Sequence, residues 1–160
     1  MHRVLLIDDD REVLSVNGKY LKEKGYKVDM ASCVNDAVGC IKKANPDCIV
    51  MDVMMPDVDG FDGFLVLRKL TNAPILYLTG KTDEADRIKG LSIGADDYIV
   101  KPCSLQELSL RISINIRRQK KIENSLLCIR MYRLSCYEME WLCITSRRGI
   151  SSGSRKLWRR

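Results

Sequence analysis

The chain has 160 residues, 46% hydrophobic and 30% charged, the balance of a folded globular protein with room for one ordinary domain and an appendage. Its formal charge of +6 is uneven: residues 1–118 hold 17 Lys+Arg against 18 Asp+Glu, whereas residues 119–160 hold 10 against 3. No run approaches the ~18 apolar residues of a membrane span, the start "MHRVLLIDDD" is too early interrupted by acids for a signal peptide, and the seven cysteines form no C-x-x-C pair, which together predict a cytoplasmic protein with reduced, mostly buried thiols.

The elements alternate from the start. "RVLLID" (3–8) reads as a buried strand. "DREVLSVNGKYLKEKG" (10–25) reads as a helix with Val13, Val16, Tyr20 and Leu21 roughly on one face and Gly25 as its stop. "YKVDMA" (26–31) is a second strand, and "VNDAVGCIKKA" (34–44) a helix closed by Asn45-Pro46. "DCIVMD" (47–52) is the third strand, "GFDGFLVLRKL" (60–70) a helix despite Gly63, and "APILYLT" (73–79) the fourth strand. "TDEADRIKGLSIG" (82–94) is helical, with acids in its first turn where the helix dipole favours them. "DDYIV" (96–100) is the fifth strand. "SLQELSLRISINIRRQ" (104–119) is the fifth helix, with Ser104 and Glu107 spaced as a capping box. Strands and helices in this alternation predict an α/β fold, a flavodoxin-like doubly wound (βα)5 parallel sheet covered on both faces.

In such sheets a ligand site lies at the carboxyl ends of the strands. There the chain places Asp8-Asp9-Asp10, Asp52, Thr79-Gly80 and Lys101-Pro102. Asp52 ends the apolar run Cys48-Ile49-Val50-Met51, where an unpaired carboxylate would lose its hydration. Crowded carboxylates raise one another's pKa unless a cation neutralises them. Mg²⁺, held by carboxylates, waters and phosphate oxygens, suits that need. Lys101 and Thr79 would hold other oxygens of a phosphoryl group on or beside Asp52.

With "LLIDDD", "VMDVMMPDVDG", "PILYLTG" and "GADDYIVKP" in that order, residues 2–119 resemble the receiver domain of two-component response regulators. The resemblance implies that Asp52 is the phosphoacceptor, with Asp8, Asp9, Asp52 and the backbone carbonyl of Met54 holding Mg²⁺. It implies that Lys101 contacts the phosphoryl group, that Lys101-Pro102 is cis, and that Thr79 and Tyr98 form a switch pair. The phosphodonor would be a sensor histidine kinase. The face formed by the fourth helix, fifth strand and fifth helix resembles that of the subfamily that forms homodimers through it. The intersubunit pairs expected there are Arg87 with Glu107, Asp97 with Arg111, and Asp96 with Arg118. Cys103 departs from that subfamily, where a bulky aromatic follows the Lys-Pro.

Two domains are expected, a receiver at 1–119 and a basic tail at 120–160. That subfamily carries a winged-helix DNA-binding domain after the receiver. Here "SLLCIRMYRLSCYEMEWLCITS" resembles only its opening, a short strand and then its first helix, and "SGSRKLWRR" the start of its second. The recognition helix and wing are missing from the matched stretch, so the output domain reads as truncated and sequence-specific DNA readout as unsupported. The tail is expected to be poorly packed around Trp141 and Trp158, without cooperative unfolding of its own, and to hold phosphate backbones in a salt-sensitive way. A stand-alone receiver that acts through protein contacts is the alternative.

An aspartate-nucleophile phosphohydrolase of the haloacid-dehalogenase type would use Asp8, Asp10, Thr79 and Lys101. That motif needs Thr or Val where Glu12 stands and gives Asp52 no role. "TGKT" at 79–82 resembles the end of a phosphate-binding loop, but Ile75 occupies the place of its first glycine. With His2 the only histidine, a histidine-based triad has no base within the fold, and with no C-x-x-C pair either a zinc site is not expected.

Overall fold

The computed structural model describes the backbone of residues 1–55, 60–80 and 94–147, and the side chains of 1–55, 62–80 and 94–128. The strands are β1 (Arg3–Ile7), β2 (Lys27–Ala31), β3 (Cys48–Asp52), β4 (Ile75–Thr79) and β5 (Asp97–Val100). The described helices are α1 (Arg11–Glu23), α2 (Val34–Ala44), α3 (Gly60–Arg68) and a last helix, α4 (Leu105–Arg147). The helix expected over 82–94 lies outside the described residues.

All five strands run parallel in the order β2-β1-β3-β4-β5. Alternate strand residues feed two cores, because successive side chains point to opposite faces. Leu5, Ile7, Ile49, Met51, Ile75 and Tyr77 pack with Val34, Ala37, Ile41, Phe64 and Leu67 of α2 and α3. Val4, Leu6, Cys48, Val50, Leu76, Leu78 and Ile99 pack with Leu14 and Leu21 of α1 and with Leu108, Ile112 and Ile116 of α4. Helices on both faces explain why the strands read as unbroken apolar runs.

Local signals set the boundaries. The Asp10 carboxylate caps α1, accepting from the backbone N–H groups of Glu12 and Val13. Gly25, at φ +89°, turns the chain out of α1 into β2. On α1 the buried stripe is Leu14, Gly18 and Leu21; of the expected Val13, Val16, Tyr20 and Leu21, only Leu21 is fully buried, Val13 and Tyr20 are half-buried and Val16 is 56% exposed. Leu14, Gly18 and Leu21 follow the i, i+4, i+7 spacing of one face, and the bare Gly18 lets Met30 lie against the helix. Ser104 Oγ accepts from Glu107 N at 3.1 Å, half of the expected capping box, while the Glu107 carboxylate turns to Arg111 at 2.9 Å.

The chain divides into two units, Met1–Gln119 and Lys120–Arg160. Residues 120–147 are helical, where a short strand was expected to precede a helix. The reason is compositional: no Gly or Pro occurs between Pro102 and Gly149, and Lys, Glu, Leu and Met recur throughout. The expectations for the side chains of Trp141 and Trp158 fall outside the described residues.

The described cysteines are less buried than their apolar neighbours suggested. Cys48 is fully buried and its thiol is pushed far up by burial, first of all, while Cys33, Cys40 and Cys103 are half-buried and Cys128 is exposed. Cys33 escapes burial because its sulfur caps α2, accepting from Asp36 N at 3.5 Å. No described helix is long and apolar enough to cross a membrane.

Candidate functional site

The strand order reverses between β1 and β3, where consecutive crossovers go to opposite faces and leave a crevice at the carboxyl ends. Asp52, the last residue of β3, and Asp8, one residue past β1, both face it and are 7% and 4% exposed. Asp9 beside them is exposed. Lys101, one residue past β5, reaches in and donates from Nζ to Asp8 Oδ2 at 2.9 Å and Asp52 Oδ2 at 2.7 Å. The second oxygens are held by backbone: Asp52 Oδ1 accepts from Met54 N at 2.9 Å, and Asp8 Oδ1 from Asp10 N at 3.0 Å.

These placements fix the electrostatics. Burial raises the Asp8 carboxyl above the usual carboxylate range, with neighbouring Asp52 adding to the rise and the hydrogen bonds from Lys101 and Asp10 N opposing it. Burial pulls Lys101 down, but the hydrogen bonds and charges of Asp52 and Asp8 outweigh it and leave the ammonium above its ordinary value. The lysine therefore stays charged at neutral pH.

Asp8, Asp9 and Asp52 each offer an oxygen, and these lie within 4.8 Å of one another. Hard carboxylate oxygens at this spacing fit Mg²⁺. Asp10 does not join them, since its side chain caps α1; the acid that a dehalogenase-type hydrolase requires there is committed elsewhere. Met54 lies two residues beyond Asp52, with its sulfur 4.0 Å from the point a Cβ on Gly80 would occupy.

Thr79 ends β4 fully buried, and its carbonyl accepts from Lys101 N at 2.7 Å. The Lys101-Pro102 peptide is cis, as expected. Tyr98 on β5 is already turned inward, edge-on to Tyr77 with centroids 6.4 Å apart. Its hydroxyl is buried without a hydrogen-bond partner among the described residues.

The other expected residues sit at the start of β5 and along α4. Asp97 pairs with Arg111 within the chain at 3.0 Å, and Glu107 with the same arginine at 2.9 Å. Asp96 pairs with Arg68 at 2.6 Å. Arg118 is exposed, and Arg87 lies outside the described residues. Sequence reading missed Arg68 and Asn115. The signal for Asn115 was an amide at a position flanking the Leu108-Ile112-Ile116 stripe, 4% exposed in the structure.

A family profile described as the response regulator receiver domain matches residues 4–113. The receiver domain of the Francisella response regulator 1452 shares 34% identity over 74% of this chain and 98% of its own, with a TM-score of 0.69. A two-component response regulator from Clostridium difficile is 30% identical over 74% and 98%, with a TM-score of 0.71. The BeF3-activated N-terminal receiver domain of Klebsiella pneumoniae RstA is 29% identical over 72% and 98%, with a TM-score of 0.68.

Proposed function

The chain belongs to the response regulator receiver domain family, and from that premise we propose that Asp52 accepts a phosphoryl group from a phosphohistidine on a sensor histidine kinase. An Asp52 carboxylate oxygen attacks phosphorus, the P–N bond to the histidine breaks, and an acyl phosphate forms on Asp52. The observation that carries this reading is the Lys101 ammonium bridging Asp8 and Asp52 at 2.9 and 2.7 Å. Lys101 is placed to follow the transferring oxygens by charge and hydrogen bond. Asp8, Asp9, Asp52 and the Met54 carbonyl would hold Mg²⁺, which supplies further neutralisation of the phosphoryl charge.

Incubation with Mg²⁺ and acetyl phosphate tests the assignment. Intact-mass analysis is expected to show one added phosphoryl group on the wild-type chain and none on Asp52→Asn. Undiminished labelling of Asp52→Asn, or loss of labelling only in Asp8→Asn, would transfer the nucleophile to Asp8 and restore the hydrolase reading.

The acyl phosphate adds charge and acceptor oxygens. The Thr79 hydroxyl moves toward them, and Tyr98 responds in the space Thr79 leaves. Because the Tyr98 ring is already inward, phosphorylation on this reading stabilises an arrangement the fold can reach unaided, a shift of population. The altered face at β5 and α4 then pairs with a second copy, and the proposed output is transcription regulation through DNA. A second reading, a receiver acting through protein contacts alone, draws on one observation. Residues 120–147 are helical rather than the strand-then-helix opening of a winged-helix domain.

A further inference from the structure

Strand β2 stands at one end of the sheet, so its outer side has no neighbouring strand. In a parallel ladder a residue turns its N–H and C=O to the same side, and the next residue turns both the other way. Lys27 N donates to the His2 carbonyl at 2.8 Å, and the Ala31 carbonyl accepts from Asp8 N at 3.2 Å. Lys27, Asp29 and Ala31 therefore face β1, and Val28 and Met30 direct their N–H and C=O groups out of the sheet. Their side chains lie on the α1 side, Val28 packed on that core and Met30 against Gly18.

Beside this edge an open groove of about 660 Å³ runs between α1 and β2. Leu14 and Met30 supply its apolar lining, and Arg11, Lys19 and Lys22 line it as cations against one carboxylate, Glu23. All three cations are exposed, and no described carboxylate pairs with them. From Arg11 to Lys22 the helix rises about 16 Å. Five residues of strand span about 17 Å, so the cations run the length of a strand laid along β2.

We propose that this edge receives an extended acidic segment of a partner protein, which adds to β2 as a sixth strand. Its backbone meets Val28 and Met30, and its acids on the α1 side meet Arg11, Lys19 and Lys22. An apolar side chain between the acids rests on Leu14 and Met30. Charge and backbone together select this occupant. The chain's own tail is excluded, because residues 119–160 hold 10 basic residues against 3 acidic and 120–147 are helical. A second copy joined antiparallel at this edge would set the same cations against their counterparts. Nucleic acid or an anionic lipid surface would meet the cations but has no N–H and C=O groups at strand spacing. The inference is independent of the phosphoryl chemistry at Asp52.

The test uses the full chain and the peptide acetyl-Thr-Glu-Thr-Val-Thr-Asp-Thr-amide, whose acids and valine share one side of a strand. Amide hydrogen exchange followed by NMR locates the contact. In the free chain Val28 and Met30 are expected to exchange freely, while Asp29 and Ala31, donating to β1, are protected. Saturating peptide is expected to slow Val28 and Met30 at least about tenfold, the protection of a strand hydrogen bond. Lys19→Glu, an exposed change whose fold a cooperative melt confirms, is expected to weaken binding of the fluorescein-labelled peptide about fivefold. No binding, or binding that leaves Val28 and Met30 unprotected, overturns the proposal. Affinity indifferent to Lys19→Glu overturns it too, since the peptide would then be held by the basic tail. Oligothymidylate or phosphatidylglycerol vesicles that lose affinity with Lys19→Glu while the peptide does not would assign the groove to that class instead.

Discussion

Asp8 and Asp52 each give one oxygen to Lys101 Nζ, and Asp9 stands beside them. Three carboxylates against one ammonium leave two negative charges uncompensated if all are ionised, the charge a divalent ion carries. The Asp8 carboxyl is raised first of all by burial, and the neighbouring Asp52 charge adds a smaller push in the same direction. A different imbalance sits at Tyr98, whose hydroxyl is buried with no partner among the described residues. An unsatisfied buried hydroxyl costs about 1–3 kcal/mol. Tyr98→Phe keeps the ring against Tyr77 and removes that cost, so the unphosphorylated variant is expected to melt higher than wild type. Thermal denaturation followed by circular dichroism decides it, and a lower melting temperature would mean that the hydroxyl has a partner in the resting protein.

At the scale of elements, two of the glycines inside helices, Gly18 and Gly63, look alike in sequence and differ in surroundings. A Cβ on Gly18 of α1 would overlap the end of Met30, a flexible side chain that is 37% exposed and able to swing away. A Cβ on Gly63 of α3 would lie 2.7 Å from Met51 Cε and 2.8 Å from Val34 Cγ2, both in the buried core. Alanine gains about 1 kcal/mol of helix propensity over glycine at either site. Gly18→Ala is therefore expected to be neutral or slightly stabilising, and Gly63→Ala to lose about 1–3 kcal/mol through overpacking. Urea titrations of both variants read this directly; equal effects would show that α3 can move off β3. The contrast also marks how far sequence reaches. The doubly wound parallel sheet and the convergence of Asp8, Asp52 and Lys101 at its carboxyl edge were legible, because apolar runs between helical stretches allow few topologies and strand ends converge in them. The exposure of Val16, the close seat of Gly63 and the Asp97–Asn115 bond were not, since each depends on which side chain from a distant segment arrives opposite. The short strand expected to precede a helix within 120–147 is itself helical, for another reason. A stretch free of Gly and Pro continues the preceding helix whatever pattern its apolar residues resemble.

Across the whole molecule, charge and site are separated along the chain. Asp8, Asp9, Asp52, Thr79 and Lys101 all belong to the unit Met1–Gln119, and the excess of positive charge belongs to Lys120–Arg160. Ten basic residues against three acids beyond position 118 make the second unit a polycation, while the first is close to neutral. Polycation binding to nucleic acid is driven by counterion release, so it falls steeply with salt and ignores base sequence. Base-specific readout needs side chains placed in a groove by a fixed element. The full chain is accordingly expected to bind duplexes of unrelated sequence equally at low salt and to release them all as salt rises. A chain ending at Gln119 is expected to bind none of them, yet to take up phosphoryl from acetyl phosphate as fast as the full chain. Fluorescence anisotropy across a salt series, run beside the phosphorylation assay, separates the two properties. Preference for one duplex that persists at high salt would show that residues 120–160 build a reading surface, and would favour the DNA output over the reading by protein contacts alone.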